Sequence, residues 1–498
     1  MPPDEIEFEK DIYDNVVGFV GITESELEII STPIFQRLRN IKQLGLANLV
    51  FPGALQNRFN HSIGVLHYAD EMVCSLQKKG FLKGVRKRVR MAALLHDIGH
   101  YPLSHITERV VLKEAKSIPP PNKLIVTEQE PISEKKFNHP IHKLNLKLHP
   151  TRNDERDYAH HERMGSLVIQ KTEIKKILKK YYSNKDITRI HRLISGIEPS
   201  PEKDIIHSEL DADKFDYLTR DSHQTGVTYG VFDVEQIIRH LELSDEGELV
   251  AGEKSKRAVE HYLMSRYFLY SQVIHHKTVA SFNLMAQEIY RGLLERGIAW
   301  SYKDLLGKFD DERQPSYLIY DDEYFFDLMK GVEKDKIKLP KNEGYSIEDD
   351  KLRTFIHMVL NRQRLKLVDN QQELLEKRDT RKIKEFSAPV IESLCKEAGI
   401  EPWWFIVDEI SVPPTKINPY RSGSGDPDGS ENEAIKVITM EYNNDGTENK
   451  RANFLIHDKS SIIRPLSLYQ LNISRVYTKD ENYEHKLKTA IKNHRMNA

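Results

Sequence analysis

Residues 88–105 read RVRMAALLHDIGHYPLSH, an apolar helical run that ends on His96 and Asp97 and is stopped by Gly99 and Pro102. A polar pair directly after Met91–Leu95 is costly to bury unless it is satisfied. Imidazole nitrogen and carboxylate oxygen together suit a first-row transition ion such as Mn, Fe, Ni or Zn. Two more candidate ligands fall in other helical segments, His61 in RFNHSIG and Asp213 in LDADKFDY. Taken singly, each reads as a hydrogen-bonded core or surface residue, and one HD dipeptide is a weak signal.

Outward from this stretch the chain is mostly helical. Residues 60–76, NHSIGVLHYADEMVCSL, place Ile63, Leu66, Ala69, Val73 and Leu76 at near-helical spacing. A third helix is expected over 161–182, a fourth over 209–221, and the longest from Ala258 to Arg296. Residues 110–158 are rich in Pro, Lys and Glu with little periodicity, which reads as an insertion. After about residue 385, WWFIVDEISV (403–412), AIKVITMEY (434–442) and NISRVYTK (472–479) read as strands, with a flexible connection over 418–434. The predicted fold class is mainly α, a helical core over 1–385 followed by a smaller C-terminal α+β lobe over 386–498.

Bulk properties narrow the class. The 498 residues carry 74 Lys+Arg against 76 Asp+Glu, so no global charge advertises a nucleic-acid or membrane partner. Cys74 and Cys395 are too few for a disulfide framework or a cysteine zinc site. The start MPPDEIEFEK lacks a signal-peptide pattern, and no apolar run approaches membrane-spanning length. A cytoplasmic enzyme is the expectation.

Further chemistry clusters near the HD pair. His100 lies four residues after His96, so a continuous helix would put both on one face, with His105, Glu108 and His161 beyond. Histidines beside a cation can deliver protons near neutral pH. Asp213, Tyr217 and Asp221 recur at i, i+4 and i+8 and form one stripe, with Lys214 beside it.

The ordered set FQRLRNIKQLG (35–45), VFPGALQNRFNHSIGV (50–65), LLHDIGHYPLSH (94–105), HHERMG (160–165) and LDADKFDYLTRD (210–221) resembles the HD-domain superfamily. It is most similar to the branch holding the vertebrate sterile-alpha-motif and HD-domain dNTP triphosphohydrolase and its bacterial relatives. The resemblance covers roughly residues 10–280 apart from the insertion and resumes weakly at RVYTK; it does not include a sterile-alpha-motif domain. It implies an HD-domain helical core in which His61, His96, Asp97 and Asp213 hold a divalent transition metal. It gives proton transfer to His100, His105, Glu108 and His161, with His105 nearest the scissile phosphate. Relatives usually carry Asp where this chain has Glu108.

On the same resemblance Arg58, Lys214, Tyr217 and Arg266 hold phosphates, Asp221 binds the sugar 3′-hydroxyl, and Gln43 and Leu44 meet the deoxyribose. Ile274 stands where the vertebrate member packs a tyrosine on the sugar, so looser deoxyribose selection is expected. The implied activity is a dNTP triphosphohydrolase releasing deoxynucleoside and tripolyphosphate, with magnesium accompanying the nucleotide, in a homo-oligomer (dimer or tetramer). A regulatory nucleotide site at subunit contacts is implied at Lys10, Gln36 and Arg39, with Val50, Phe51, Lys254 and Lys277 at an adjoining second nucleotide. Ser31 replaces the carboxylate that reads guanine there, and two basic residues are lost at Gln236 and Gly252. Two alternatives stay open: an HD phosphohydrolase of another nucleotide or of single-stranded nucleic acid, and a nucleotide-sensing partner subunit. Basic segments interleaved with acids argue against nucleic acid.

Overall fold

A computed structural model of the chain describes residues 2–117, 159–196, 199–309, 316–340, 346–377, 386–413, 435–442 and 448–497. The fold is mainly α, a helical core with a smaller α+β lobe. The helices bearing on the site are numbered here in chain order. Helix α1 (Arg58–Lys78) is capped by Asn57, whose side chain accepts from the Asn60 amide. Ile63, Leu66, Ala69, Val73 and Leu76 are all fully buried, as their spacing predicts. Helix α2 (Arg86–Leu95) packs along α1 and ends one residue before the HD pair.

That end corrects the expected continuous helix through His100. Residues 96–99 form a turn, closed by Ile98 N donating to Leu95 O and His100 N to Asp97 O. Gly99 is demanded by packing: a Cβ there would lie 2.2 Å from the Gly165 nitrogen and 2.3 Å from the His161 carbonyl oxygen. The HD turn therefore presses directly on the backbone of residues 161–165. Leu103 and Ser104 follow with φ of 53° and 56°, two consecutive left-handed non-glycine residues. Helix α3 (His105–Ser117) starts on the next residue, so 110–117 belong to a helix and not to the expected insertion. The rest of that insertion lies outside the described residues, as does the expected connection 418–434.

Helix α4 (His161–Lys171) is separated from the Ile174–Tyr181 helix by Thr172, which is extended and bonds back to Val168 O, so the single helix expected over 161–182 is two. Helix α5 (Ala212–Thr225) is capped by Asp211 at its start and by left-handed Gly226 at its end. The expected 258–296 helix is likewise interrupted: α6 (Lys256–Leu269) runs into a π-turn at Tyr270–Ile274 before α7 (Lys277–Glu295).

Strands fill the remaining roles. Lys10–Asp14 and Gly18–Ile22 form an antiparallel hairpin. The expected strands appear as Ile406–Val412, Lys436–Tyr442 and Tyr469–Thr478. Tyr469–Thr478 is the centre of a three-stranded antiparallel sheet whose other edge, Lys366–Glu376, has no sequence counterpart above. Lys436–Tyr442 joins a four-stranded sheet through Val437, which pairs with Ala251, so residues after 386 and before 252 share one sheet. Among the described residues no helix is long and apolar enough to cross a membrane.

Candidate metal centre and active-site cavity

Three segments converge on one point. His61 comes from the first turn of α1, His96 and Asp97 from the turn after α2, and Asp213 from the first turn of α5. His61 Nε2 lies 2.9 Å from Asp213 Oδ1 and 3.6 Å from Asp97 Oδ2, and His96 Nε2 lies 3.4 Å from Asp97 Oδ1. Donor atoms of His61, His96 and Asp213 all fall within 4.8 Å of one another, the spacing of ligands around one ion.

The donor set fits a divalent cation. His96 Nδ1 donates to Ala93 O at 2.7 Å, which leaves Nε2 buried without a hydrogen-bond partner among the described residues and its lone pair facing the cluster. His61 Nδ1 donates to Asp216 Oδ2 at 2.8 Å, turning Nε2 the same way. Asp97 is bound by Arg58 at 2.6 Å, and Asp216 by Arg220, which also holds Asp14. Four carboxylates (Asp14, Asp97, Asp213, Asp216) thus face two guanidinium groups, leaving two negative charges in excess. Burial opposes a charged His61, yet Asp213 and Asp216 raise its pKa to about 10. A proton is the cation this cluster takes when nothing stronger competes.

Beside the cluster sits a second group. Glu108 Oε1 accepts from both the backbone amide and Nδ1 of His161, at 2.8 and 2.7 Å, while Oε2 accepts from His105 Nδ1 at 2.7 Å. His100 is stacked on His161 with ring centres 4.1 Å apart, and neither of its ring nitrogens has a hydrogen-bond partner among the described residues. Burial and the nearby Arg58 hold the His100 pKa well below its ordinary value, so it is neutral. Burial also opposes charge on His161, but Glu108 outweighs it and raises that pKa to about 9.

Both groups open into one cavity of about 700 Å³. Its wall includes His96, Asp97 and Asp213, then His100, His105 and His161, then Arg58, Lys214, Tyr217, Asp221 and Arg266, with Gln43, Leu44 and Ile274 at another side. The stripe expected on α5 is real: Asp213, Tyr217 and Asp221 all face the cavity. His61 and Glu108 stand behind the wall, buried. Lys214 and Arg266, expected as phosphate cations, are each already held by a carboxylate, Asp211 at 2.8 Å and Glu209 at 2.7 Å. Burial raises the Asp221 pKa to about 7, and Gln56 donates to its Oδ1. Tyr217 hydroxyl meets that of Tyr270 at 3.3 Å.

The residues expected at a regulatory nucleotide lie elsewhere, and none lines this cavity. Lys10 is exposed on the hairpin; Arg39 donates to Gln36 Oε1 and lies over the Phe59 ring. Phe51 packs edge-on to His276, one residue from exposed Lys277, with Val50 beside it in a small apolar cluster. Lys254 is exposed, its carbonyl accepting from Gln236.

The HD domain family matches residues 58–221, a span that opens on Arg58 ahead of His61 and closes on Asp221. The chain contains an HD domain. An uncharacterized protein of Bacillus subtilis (strain 168) is 27% identical over 92% of this chain and 91% of its own length. The deoxynucleoside triphosphate triphosphohydrolase SAMHD1 of Mus musculus is 29% identical over 51% of this chain, and the match spans 38% of that protein. The crystal structure of a hypothetical protein from Aquifex aeolicus superposes with a TM-score of 0.65 at 26% identity, covering 97% of this chain and 99% of that one. The HD domain therefore sits inside a longer architecture shared along nearly the whole chain.

Several residues around the HD domain's site are absent from the sequence reading. Asp216 and Arg220 on α5, and Asp14 on the hairpin, back His61; Ser104 bonds Arg58; Glu209 and Asp211 hold Arg266 and Lys214. Asp211 and Lys214 carry a signal, three apart at a helix start, whereas Asp14 carries none, since its partner lies 206 residues away.

Proposed function

We propose that the chain is a metal-dependent phosphohydrolase whose substrate is a deoxynucleoside triphosphate, cleaved to deoxynucleoside and tripolyphosphate. One observation carries this reading. Three of the four expected metal ligands, with His61 directly behind them, line a single cavity of about 700 Å³ together with three cationic side chains and the histidines bridged by Glu108. The likeness to the mouse dNTP triphosphohydrolase supports the substrate class.

In this reading His61, His96, Asp97 and Asp213 hold the ion. A divalent ion there supplies Lewis-acid polarisation of a phosphoryl oxygen. Arg58, Lys214 and Arg266 neutralise the polyphosphate, Lys214 and Arg266 by exchanging part of their pairing with Asp211 and Glu209 for phosphate oxygens. Water adds to the α-phosphorus, the bond to the sugar 5′-oxygen breaks, and a proton must reach that oxygen. His105 Nδ1 is tied to Glu108, which leaves Nε2 as its cavity-side nitrogen and the group suited to deliver that proton. Asp221 takes the sugar 3′-hydroxyl, and Leu44 with Ile274 pack against the ring.

The test is a product assay with all dNTPs, NTPs and short oligonucleotides in Mn²⁺, Fe²⁺, Ni²⁺, Zn²⁺ and Mg²⁺. Phosphorus NMR should show tripolyphosphate from dNTPs. Orthophosphate or pyrophosphate as the main product would mean attack at another phosphorus. Turnover of oligonucleotides alone would replace the substrate class.

A further inference from the structure

The metal ligand His61 is the inner end of a buried ionic chain that leads to the N-terminal hairpin. His61 Nδ1 donates to Asp216 Oδ2 at 2.8 Å. Arg220 grips Asp216 through Nε and Nη2, both at 2.8 Å, and grips Asp14 through Nη1 at 2.9 Å and Nη2 at 3.1 Å. All four side chains are at least 96% buried. Asp14 is the last residue of the strand Lys10–Asp14, and its Oδ1 also accepts from the Val16 and Val17 amides, so it shapes the turn between the two strands.

The neighbouring helix is built around this chain. A Cβ at Gly64 of α1 would lie 1.7 Å from Asp216 Oδ1 and 2.5 Å from Arg220 Nη2. The space that a side chain at 64 would fill is therefore where the Asp216–Arg220 pair sits. With His61 neutral, Asp14 and Asp216 outnumber Arg220 by one charge, so the chain presents a net negative charge to His61 and favours a cation on its far nitrogen.

We infer that Asp14 and Arg220 are positioning residues for the metal centre, coupling the seating of the hairpin to metal affinity through Asp216 and His61. The inference rests on the metal site proposed above. Coupling of this kind is reciprocal: what loosens the hairpin weakens the ion, and the ion tightens the hairpin.

The experiment uses the full chain and Mn²⁺ as probe, in competition with a fluorescent chelator. Asp14→Asn is expected to bind Mn²⁺ about 10-fold more weakly, the lower end of the loss typical of removing an outer partner of a metal-bound histidine, since it acts through Arg220 and Asp216. Asp14→Glu should recover part of it. Glu202→Gln, which breaks the half-buried Arg88–Glu202 pair away from this chain, is the control and should keep wild-type affinity. Since Asp14→Asn can also fail to fold, hydrogen exchange on the wild-type protein gives a second reading. Amides of residues 10–22 should exchange more slowly with Mn²⁺ than without it. Wild-type affinity in Asp14→Asn, an equal loss in the control, or hairpin exchange indifferent to Mn²⁺ overturns the coupling. No Mn²⁺ binding by the wild-type chain would instead remove the metal site itself.

Discussion

Asp216 Oδ2 and His61 Nδ1, 2.8 Å apart, decide which nitrogen of His61 turns toward Asp97 and Asp213. An ionised carboxylate only accepts, so the ring keeps a proton on Nδ1, and Nε2 is the nitrogen that takes a cation. Asp216→Asn removes the charge while its amide oxygen can still accept. Metal affinity should fall about 10- to 100-fold, read by chelator competition, with melts alongside because Arg220 also loses a buried acceptor. An unchanged affinity would show that this carboxylate does not set the ligand.

Asp97 and Asp213 should separate metal loss from fold loss. Asp97 is bonded to buried Arg58 at 2.6 Å, so Asp97→Ala leaves that guanidinium with Ser104 as its remaining hydrogen-bonded side chain. Breaking a buried pair from one side costs roughly 3–5 kcal/mol. The Asp213 side chain is 32% exposed and among the described residues pairs with no guanidinium, so Asp213→Ala should lose metal at much smaller cost in stability. Thermal melts in chelator, beside elemental analysis, read both quantities. A full metal complement in an inactive Asp213→Ala protein would remove it from the ligand set.

Glu108→Gln should act through His161 and show itself in pH dependence. The His161 pKa is raised to about 9, so its stabilising contribution is full below its ordinary value near 6.5 and lost as pH rises through about 9. The variant should therefore be destabilised most near pH 6 and least above pH 9, in melts across that range. If proton transfer runs through this group, activity should fall by about 10²- to 10⁴-fold. Its alkaline limb should also move to lower pH. A variant destabilised equally at pH 6 and pH 10 would sink the ion-pair account.

The helical core and the residues that meet at the site were legible because they leave local marks or fall in recognisable strings. Buried spacing in residues 60–76 names α1, and a polar pair after five apolar residues names His96 and Asp97. Helix ends were less legible. The turn at 96–99 packs through Gly99 on Gly165, a contact distant in sequence, and the π-turn at 270–274 breaks what reads as one helix. The strand Lys366–Glu376 escaped notice for a related reason. It is half exposed, with the polar run Asp369–Glu373 at its centre, and its pairing comes from Tyr469–Thr478. The acids that hold Lys214 and Arg266 were visible as residues but not as partners.

Activation by nucleotide is the last expectation, and it turns on Ser31. In the resembling vertebrate branch a carboxylate at this position reads guanine; here the hydroxyl closes the Glu24–Ile30 helix by donating to Leu27 O at 2.8 Å. A carboxylate accepts two hydrogen bonds from guanine N1 and N2, which one hydroxyl cannot do in that geometry. The loss of such a charged hydrogen bond is worth about 1.5–3 kcal/mol, about one to two decades of affinity. Gln36 and Arg39 remain beside it, bonded to each other at 2.7 Å, so a nucleotide could still be met there without its base being read as guanine. The expected outcome is dNTP hydrolysis that does not depend strictly on GTP or dGTP, with assembly into dimers or tetramers followed by light scattering under each nucleotide. Ser31→Asp should increase guanine dependence, whereas Ser31→Asn, lacking the charge and the second acceptor, should not. The aspartate sits at a helix C-terminus, where a negative charge costs about 0.3–1 kcal/mol, so its melting temperature is measured alongside. A wild-type rate near zero until GTP is added, restored by no other nucleotide, refutes the expectation; no gain in the aspartate variant means that Ser31 does not occupy the guanine-reading position.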